Sequence, residues 1–163
     1  MDTYKEKIWQ LLSTVTDPEV PVLTITDLGI LRDIKMENGE IEVVITPTYT
    51  GCPAMDMISM NIRLALIENG YNHVKITSVL SPAWTTDWMS EEGKRKLKEY
   101  GIAPPNPKQQ VCNDQLFAAD EAVQCPHCNS FHTHRISEFG STACKALYKC
   151  LDCKEPFDYF KCH

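Results

Sequence analysis

Apolar residues recur at two periods along this chain, and the switches between them predict its elements. Ile8, Leu11, Leu12 and Val15 fall at helical spacing, which predicts a helix over Tyr4–Val15. It ends before Asp17-Pro18, because proline disfavours helical geometry in the residue before it. Two prolines and a glycine between Asp17 and Gly29 predict a loop holding one short turn of helix. Ile30–Met36 and Ile41–Thr46 read as strands, joined by the hairpin signal Asn38-Gly39. The run from Pro47 to Gly51 breaks the second strand. Met55, Ile58, Ile62, Ala65 and Leu66 then give the buried stripe of a helix over Pro53–Glu68. Pro53 suits its first position and Asn69-Gly70 its end. His73–Leu80 alternates as a third strand. Ser81–Trp88 is a loop carrying two tryptophans, and a charged helix over Ser90–Tyr100 follows.

This order, α-β-β-α-β-α, predicts an α+β fold for residues 1–104. Pro104-Pro105-Asn106-Pro107 opens a stiff linker over 105–120, and 121–163 form a separate cysteine-rich β module. That module carries the clearest chemistry. Cys125-Pro126-His127-Cys128 and Cys150-Leu151-Asp152-Cys153 are two C-x-x-C knuckles with 21 residues between them. Each knuckle is a tight turn that aims two thiolates at one point, and the gap allows an out-and-back hairpin that brings the knuckles together. Four thiolates around a d¹⁰ ion make a closed tetrahedral site, so a zinc ribbon is expected, with a rubredoxin-type iron site as the alternative. Some forty residues bury too little apolar surface to fold alone, which makes the metal the centre of the module. Cys144, Cys162, His127, His132, His134 and His163 are spare ligands nearby.

Composition narrows the class. Of 163 residues, 43% are hydrophobic, enough for a core. The net charge of −6 argues against a nucleic-acid protein, which needs basic side chains against phosphates. No apolar run approaches a membrane span, and Met1–Gln10 lacks the apolar core of a signal peptide, so a cytoplasmic location is expected. In that reducing setting, eight cysteines point to metal ligands and reactive thiols before disulfides.

Cys52 stands apart from the knuckles. With Pro53 at the first helical position it becomes the N-cap, where backbone N–H groups and the helix dipole favour a thiolate. It could contact a metal or cluster, or be a buried capping thiol. Asp17, Glu19 and Asp27 could support a metal there, or simply form turns. Trp84 and Trp88 are core anchors or partner contacts. His73 is the first domain's one histidine, at a strand start, so no nucleophile–base pair is evident and no enzyme is predicted.

Four segments together resemble a known family. They are Asp17-Pro18-Glu19-Val20-Pro21, Asp27-Leu28-Gly29-Ile30, Thr46-Pro47-Thr48-Tyr49-Thr50-Gly51-Cys52-Pro53 and Ser81-Pro82-Ala83-Trp84-Thr85-Thr86-Asp87-Trp88-Met89. They resemble the metal–sulfur cluster biosynthetic family that includes SufT. The tail, with Phe139-Gly140-Ser141-Thr142-Ala143-Cys144 and Glu155-Pro156-Phe157-Asp158-Tyr159-Phe160, narrows the resemblance to the PaaD family of proteins associated with phenylacetyl-CoA epoxidase. The resemblance implies an accessory role in aerobic phenylacetate breakdown, assisting iron–sulfur cluster or metal assembly. It implies the epoxidase's di-iron oxygenase and iron–sulfur reductase subunits as partners, together with iron–sulfur assembly machinery. It implies structural zinc, a transient iron or cluster, and Cys52 as the contact for it. One thiolate does not hold a cluster alone, so a homodimer, a partner, Cys112 or Cys144 would complete the site. The alternative is an adaptor that docks on the oxygenase without transferring metal.

Overall fold

The structure, a computed structural model, describes residues 3–48, 52–105, 123–142 and 145–160. It is an α+β fold in two compact units, Met1–Gly93 and Lys94–His163. The sequence reading keeps 94–104 with the first domain. In the structure Ile102–Ala103 is a strand of the second unit's sheet, and residues 106–120 of the expected linker lie outside the described residues.

In the first unit, α1 spans Thr3–Leu12 and buries Ile8 and Leu12. It stops short of Val15 because Ser13 and Thr14 turn their hydroxyls onto the carbonyls of Gln10 and Leu11, and the backbone tightens into three-residue turns. β1 (Leu31–Glu37) and β2 (Glu40–Ile45) form the expected hairpin. Asn38 and Gly39 supply the positive φ values, 51° and 83°, that its two-residue turn requires. α2 (Ala54–Glu68) crosses over the sheet, and β3 (Val74–Ser78) pairs parallel to β2. Ala54, Ile58, Ile62 and Leu66 are the buried face of α2, whereas Met55 and Ala65 are half-buried at its margin. A short 3₁₀ turn, Thr86–Trp88, leads to α3 (Glu91–Glu99). Ser90 caps α3 by accepting a hydrogen bond from the Gly93 N–H at 2.9 Å.

The second unit is a four-stranded sheet in the order β4-β7-β6-β5. The predicted hairpin between the knuckles is β5 (Thr133–Ser137) with β6 (Lys145–Cys150). β7 (Pro156–Phe160) pairs antiparallel with β6, and β4 (Ile102–Ala103) runs parallel to β7. Ala103, Val123, Ala146, Tyr148, Phe157 and Tyr159 pack with Cys125 and Cys150 as one apolar cluster. Tyr148 stacks on Phe157 at 5.9 Å and meets Tyr159 edge-on at 5.6 Å. Among the described residues, no helix is long and apolar enough to cross a membrane.

Candidate functional site

The four knuckle cysteines meet as the spacing predicts. Cys125 Sγ lies 3.7 Å from Cys153 Sγ and Cys128 Sγ 3.5 Å from Cys150 Sγ, with all four sulfurs within 4.8 Å of one another. A disulfide needs about 2.05 Å, whereas a tetrahedron of metal–sulfur bonds of about 2.3 Å sets its sulfurs roughly 3.8 Å apart. The observed spacing is that of ligands around one ion. Local chain geometry produces it twice over. The Cys125 N–H donates to the Ser130 carbonyl at 2.8 Å, and the Cys150 N–H to that of Glu155 at 3.0 Å. Each knuckle turns back through a left-handed residue directly after its second cysteine, Asn129 (φ 62°) and Lys154 (φ 67°).

The protonation of the four thiols is uneven. Burial pushes Cys150 up, but N–H groups of Cys153 and Asp152 and its neighbouring thiols outweigh it and bring it down to about 7. At Cys153 the Glu155 N–H works downward, yet burial and the other three cysteines push the thiol up to about 12. Beside the site, Ser130 first and His132 second hold the Asp152 carboxyl below the usual range. His132 Nδ1 lies 3.1 Å from Asp152, so that imidazole bridges the knuckles from outside the sulfur cage. His134 lies in β5 opposite Lys149, and His127 is exposed. Cys112, Cys144, Cys162 and His163 lie outside the described residues.

The other candidates converge at one end of the first sheet. Leu31 pairs with Ile45, and Ile45 with Ser78. The loop before β1, the loop after β2 and the loop after β3 therefore share one edge, the carboxyl end of the parallel pair β2–β3. Ligands of α/β folds bind at such an edge, and α2 begins there. Cys52 is half-buried, one residue further from the helix than predicted. Pro53 itself occupies the cap position with helical angles, φ −68° and ψ −20°. Residues 49–51 of the motif lie outside the described residues.

Among the described residues, Asp17, Glu19 and Asp27 form no group of three or more with Cys52 close enough to share an ion. Among the described residues, no group of ligands besides the four knuckle cysteines is placed to share an ion. The reason is local. Asp17 accepts the N–H groups of Glu19 and Val20 at 2.7 and 3.0 Å, which makes it a turn former. Asp27 accepts the Thr24 N–H at 3.2 Å and the Ser90 hydroxyl at 3.1 Å, tying the first loop to the start of α3. Trp84 is a core anchor and not a partner surface. It is 4% exposed and donates its indole N–H to the Leu28 carbonyl at 2.7 Å. Trp88 lies over Gly29 and carries the Arg32 guanidinium 3.7 Å from its ring centre.

One residue at this edge escapes the sequence reading. Thr46, 1% exposed, has a buried hydroxyl with no hydrogen-bond partner among the described residues, at a cost of about 1–3 kcal/mol. Only its place inside the Cys52 motif could have marked it.

Comparison with known proteins follows the same division. The iron-sulfur cluster assembly protein family matches residues 5–77, and the PaaD zinc beta ribbon domain matches residues 109–161. A protein of Escherichia coli (strain K12), provisionally named as one of the subunits of 1,2-phenylacetyl-CoA epoxidase, is 51% identical over 96% of this chain and 92% of its own length. An Fe-S protein maturation auxiliary factor of Porphyromonas gingivalis is 37% identical over 57% of this chain and 90% of its own. The crystal structure of a domain of unknown function from Bacillus anthracis matches with a TM-score of 0.53 at 29% identity, covering 57% of this chain and 90% of that one. The family is one of assembly and accessory proteins, not of enzymes.

Proposed function

The chain belongs to the PaaD family, and on that premise we propose that it is an accessory maturation factor. It delivers iron or an iron–sulfur cluster to a phenylacetyl-CoA epoxidase, whose di-iron oxygenase and iron–sulfur reductase subunits are its clients, and it works in the cytoplasm. The observation that carries this reading is the position of Cys52. A soft ligand stands at the carboxyl end of β2–β3, at the start of α2, where three loops meet. The cargo is iron or a cluster, held by Cys52 and passed on.

The ribbon has a different task. Cys125, Cys128, Cys150 and Cys153 hold a resident zinc ion, which supplies a closed structural centre and no chemistry. Four unbridged thiols at ligand spacing suit a reducing compartment. The ribbon then serves as the docking module.

Anaerobic purification with metal analysis tests both assignments at once. Wild type should carry zinc and, after reconstitution, iron. Cys52→Ser should keep the zinc and lose the iron, and the co-expressed reductase should lose cluster occupancy. Unchanged reductase occupancy with Cys52→Ser would leave an adaptor that stabilises the oxygenase without transferring metal.

A further inference from the structure

α2 is apolar on two sides. Its buried face is Ala54, Ile58, Ile62 and Leu66. On the opposite side Met57, Met60, Leu64 and Ile67 are 51%, 59%, 50% and 48% exposed. Solvent-facing positions of an amphipathic helix are ordinarily polar, and single exposed apolar side chains need no explanation. Four in one row do.

Their spacing is three, four, three, the seam of paired helices, with Met57 and Leu64 at a positions and Met60 and Ile67 at d. The flanking charges choose the orientation. Arg63 falls at g and Glu68 at the following e. When two copies of α2 pack in parallel, Arg63 of each copy faces Glu68 of the other, giving two ion pairs. An antiparallel pair centred on the seam would set Arg63 against its own counterpart, like against like. We propose that this face is a self-association surface on which two copies pair their α2 helices in parallel, bringing both Cys52 positions to the same end. The proposal rests on the reading of Cys52 as the cargo contact, and it deepens that reading. Iron–sulfur clusters are usually held by four thiolates; among the described residues one copy offers one at this edge and two copies offer two, leaving the rest to the client.

The seam is only two heptads long. It offers roughly 400 Å² per copy, about 800 Å² in total, below the ~1,200 Å² of stable complexes. The dimer is therefore weak and concentration-dependent, which suits a protein that must release its cargo.

Sedimentation of the full chain, from low micromolar to several hundred micromolar, tests this without any cargo. Wild type should shift from monomer to dimer. Leu64→Glu, at a half-exposed site that leaves the fold intact, should weaken the dimer roughly tenfold or more. Arg63→Glu should weaken it by about threefold to tenfold, and adding Glu68→Arg to it should restore the wild-type constant. A wild type that stays monomeric overturns the proposal, and so does a dimer indifferent to Leu64→Glu. A dimer that ignores both charge reversals overturns the parallel pairing. Cys52→Ser in the same runs should dimerise normally. Lost dimerisation with retained iron in wild type faults this inference alone, and a normal dimer whose iron survives Cys52→Ser faults the functional reading alone.

Discussion

Around Cys52 the chain is ordered by apolar packing and by hydrogen bonds between loops. Ile8, Leu12, Leu23, Ile25, Ile58, Ile62 and Leu66 are buried to 1% or less. Trp84 and Asp27 tie the loops at the sheet edge to one another. The ribbon is built the other way. Its apolar cluster has eight buried members among the described residues, and two of them, Cys125 and Cys150, are themselves ligands. The difference matches the roles proposed above. A unit whose core is complete without its ligand can pick up and release that ligand, whereas a unit whose core contains the ligands holds its ion permanently.

Metal removal should separate the two most sharply. Binding of structural zinc is worth about 10–16 kcal/mol in small zinc modules, more than a cluster of this size supplies by itself. A strong chelator should collapse the dispersed amide resonances of Thr133–Ser137, Lys145–Cys150 and Pro156–Phe160, and leave those of α1, α2 and β1–β3 in place. A ribbon that keeps its spectrum after complete metal removal would break the comparison.

The converse lesion lies at Gly29. Its φ is +73°, and a Cβ there would stand 2.4 Å from the Trp88 carbonyl oxygen and 2.7 Å from its Cβ. Gly29→Ala forces the loop before β1 away from the tryptophan loop and strains the backbone, for about 3 kcal/mol or more. Urea titration followed by the amides of β1–β3 should show that loss, while zinc content stays that of wild type. Equal stability of the variant would mean that the loop clamp contributes little.

These two sites differ in how far sequence could reach them. The C-x-x-C spacing states the ribbon's ligands outright, because a knuckle is a local structure and its two thiols follow from four residues. The hairpin between the knuckles follows from period two. β4 does not, since a strand of two residues before a proline pair has no period to read, and its partner β7 lies more than fifty residues on. At the sheet edge, Asp17 and Asp27 match a motif, but only the folded chain shows their carboxylates engaged with backbone N–H groups and Ser90. The second apolar row on α2 is written in the sequence too. It sits beside a better stripe, and periodicity alone does not tell which face the core takes.

Acid should act on the ribbon before the first unit, because the metal competes with protons for the sulfurs. In the metal-free site Cys150 is lowered from an ordinary value near 9 to about 7, whereas Cys153 is pushed up to about 12. The sign for Cys150 follows from its lowered value. In the folded arrangement its contribution is complete above about pH 9 and is lost as pH falls through about 7. Because the ribbon unfolds without its ion, its thiols there return to ordinary values, so binding displaces protons from all four sulfurs and affinity falls steadily with acid across this range. Competition with a metal indicator between pH 8 and pH 5 should give that steady fall without a break near pH 7. A pH-independent affinity would contradict the thiolate set.

The smallest expected effect tests whether the two knuckles, alike in geometry, are alike in strain. Both turn on a left-handed residue, but Asn129 tolerates that region, whereas Lys154 gains no local hydrogen bond from its side chain and bears a cost of about 1 kcal/mol. Replacing Lys154 with glycine removes the strain but adds freedom to the unfolded chain, so the net gain is about 0.5 kcal/mol. Asn129→Gly should gain nothing, because little strain is there to remove. Thermal unfolding of the zinc-loaded ribbon should therefore rise by a degree or two for Lys154→Gly and stay level or fall for Asn129→Gly. Equal responses would show that the metal, by fixing both turns together, spreads the strain of one knuckle over the other.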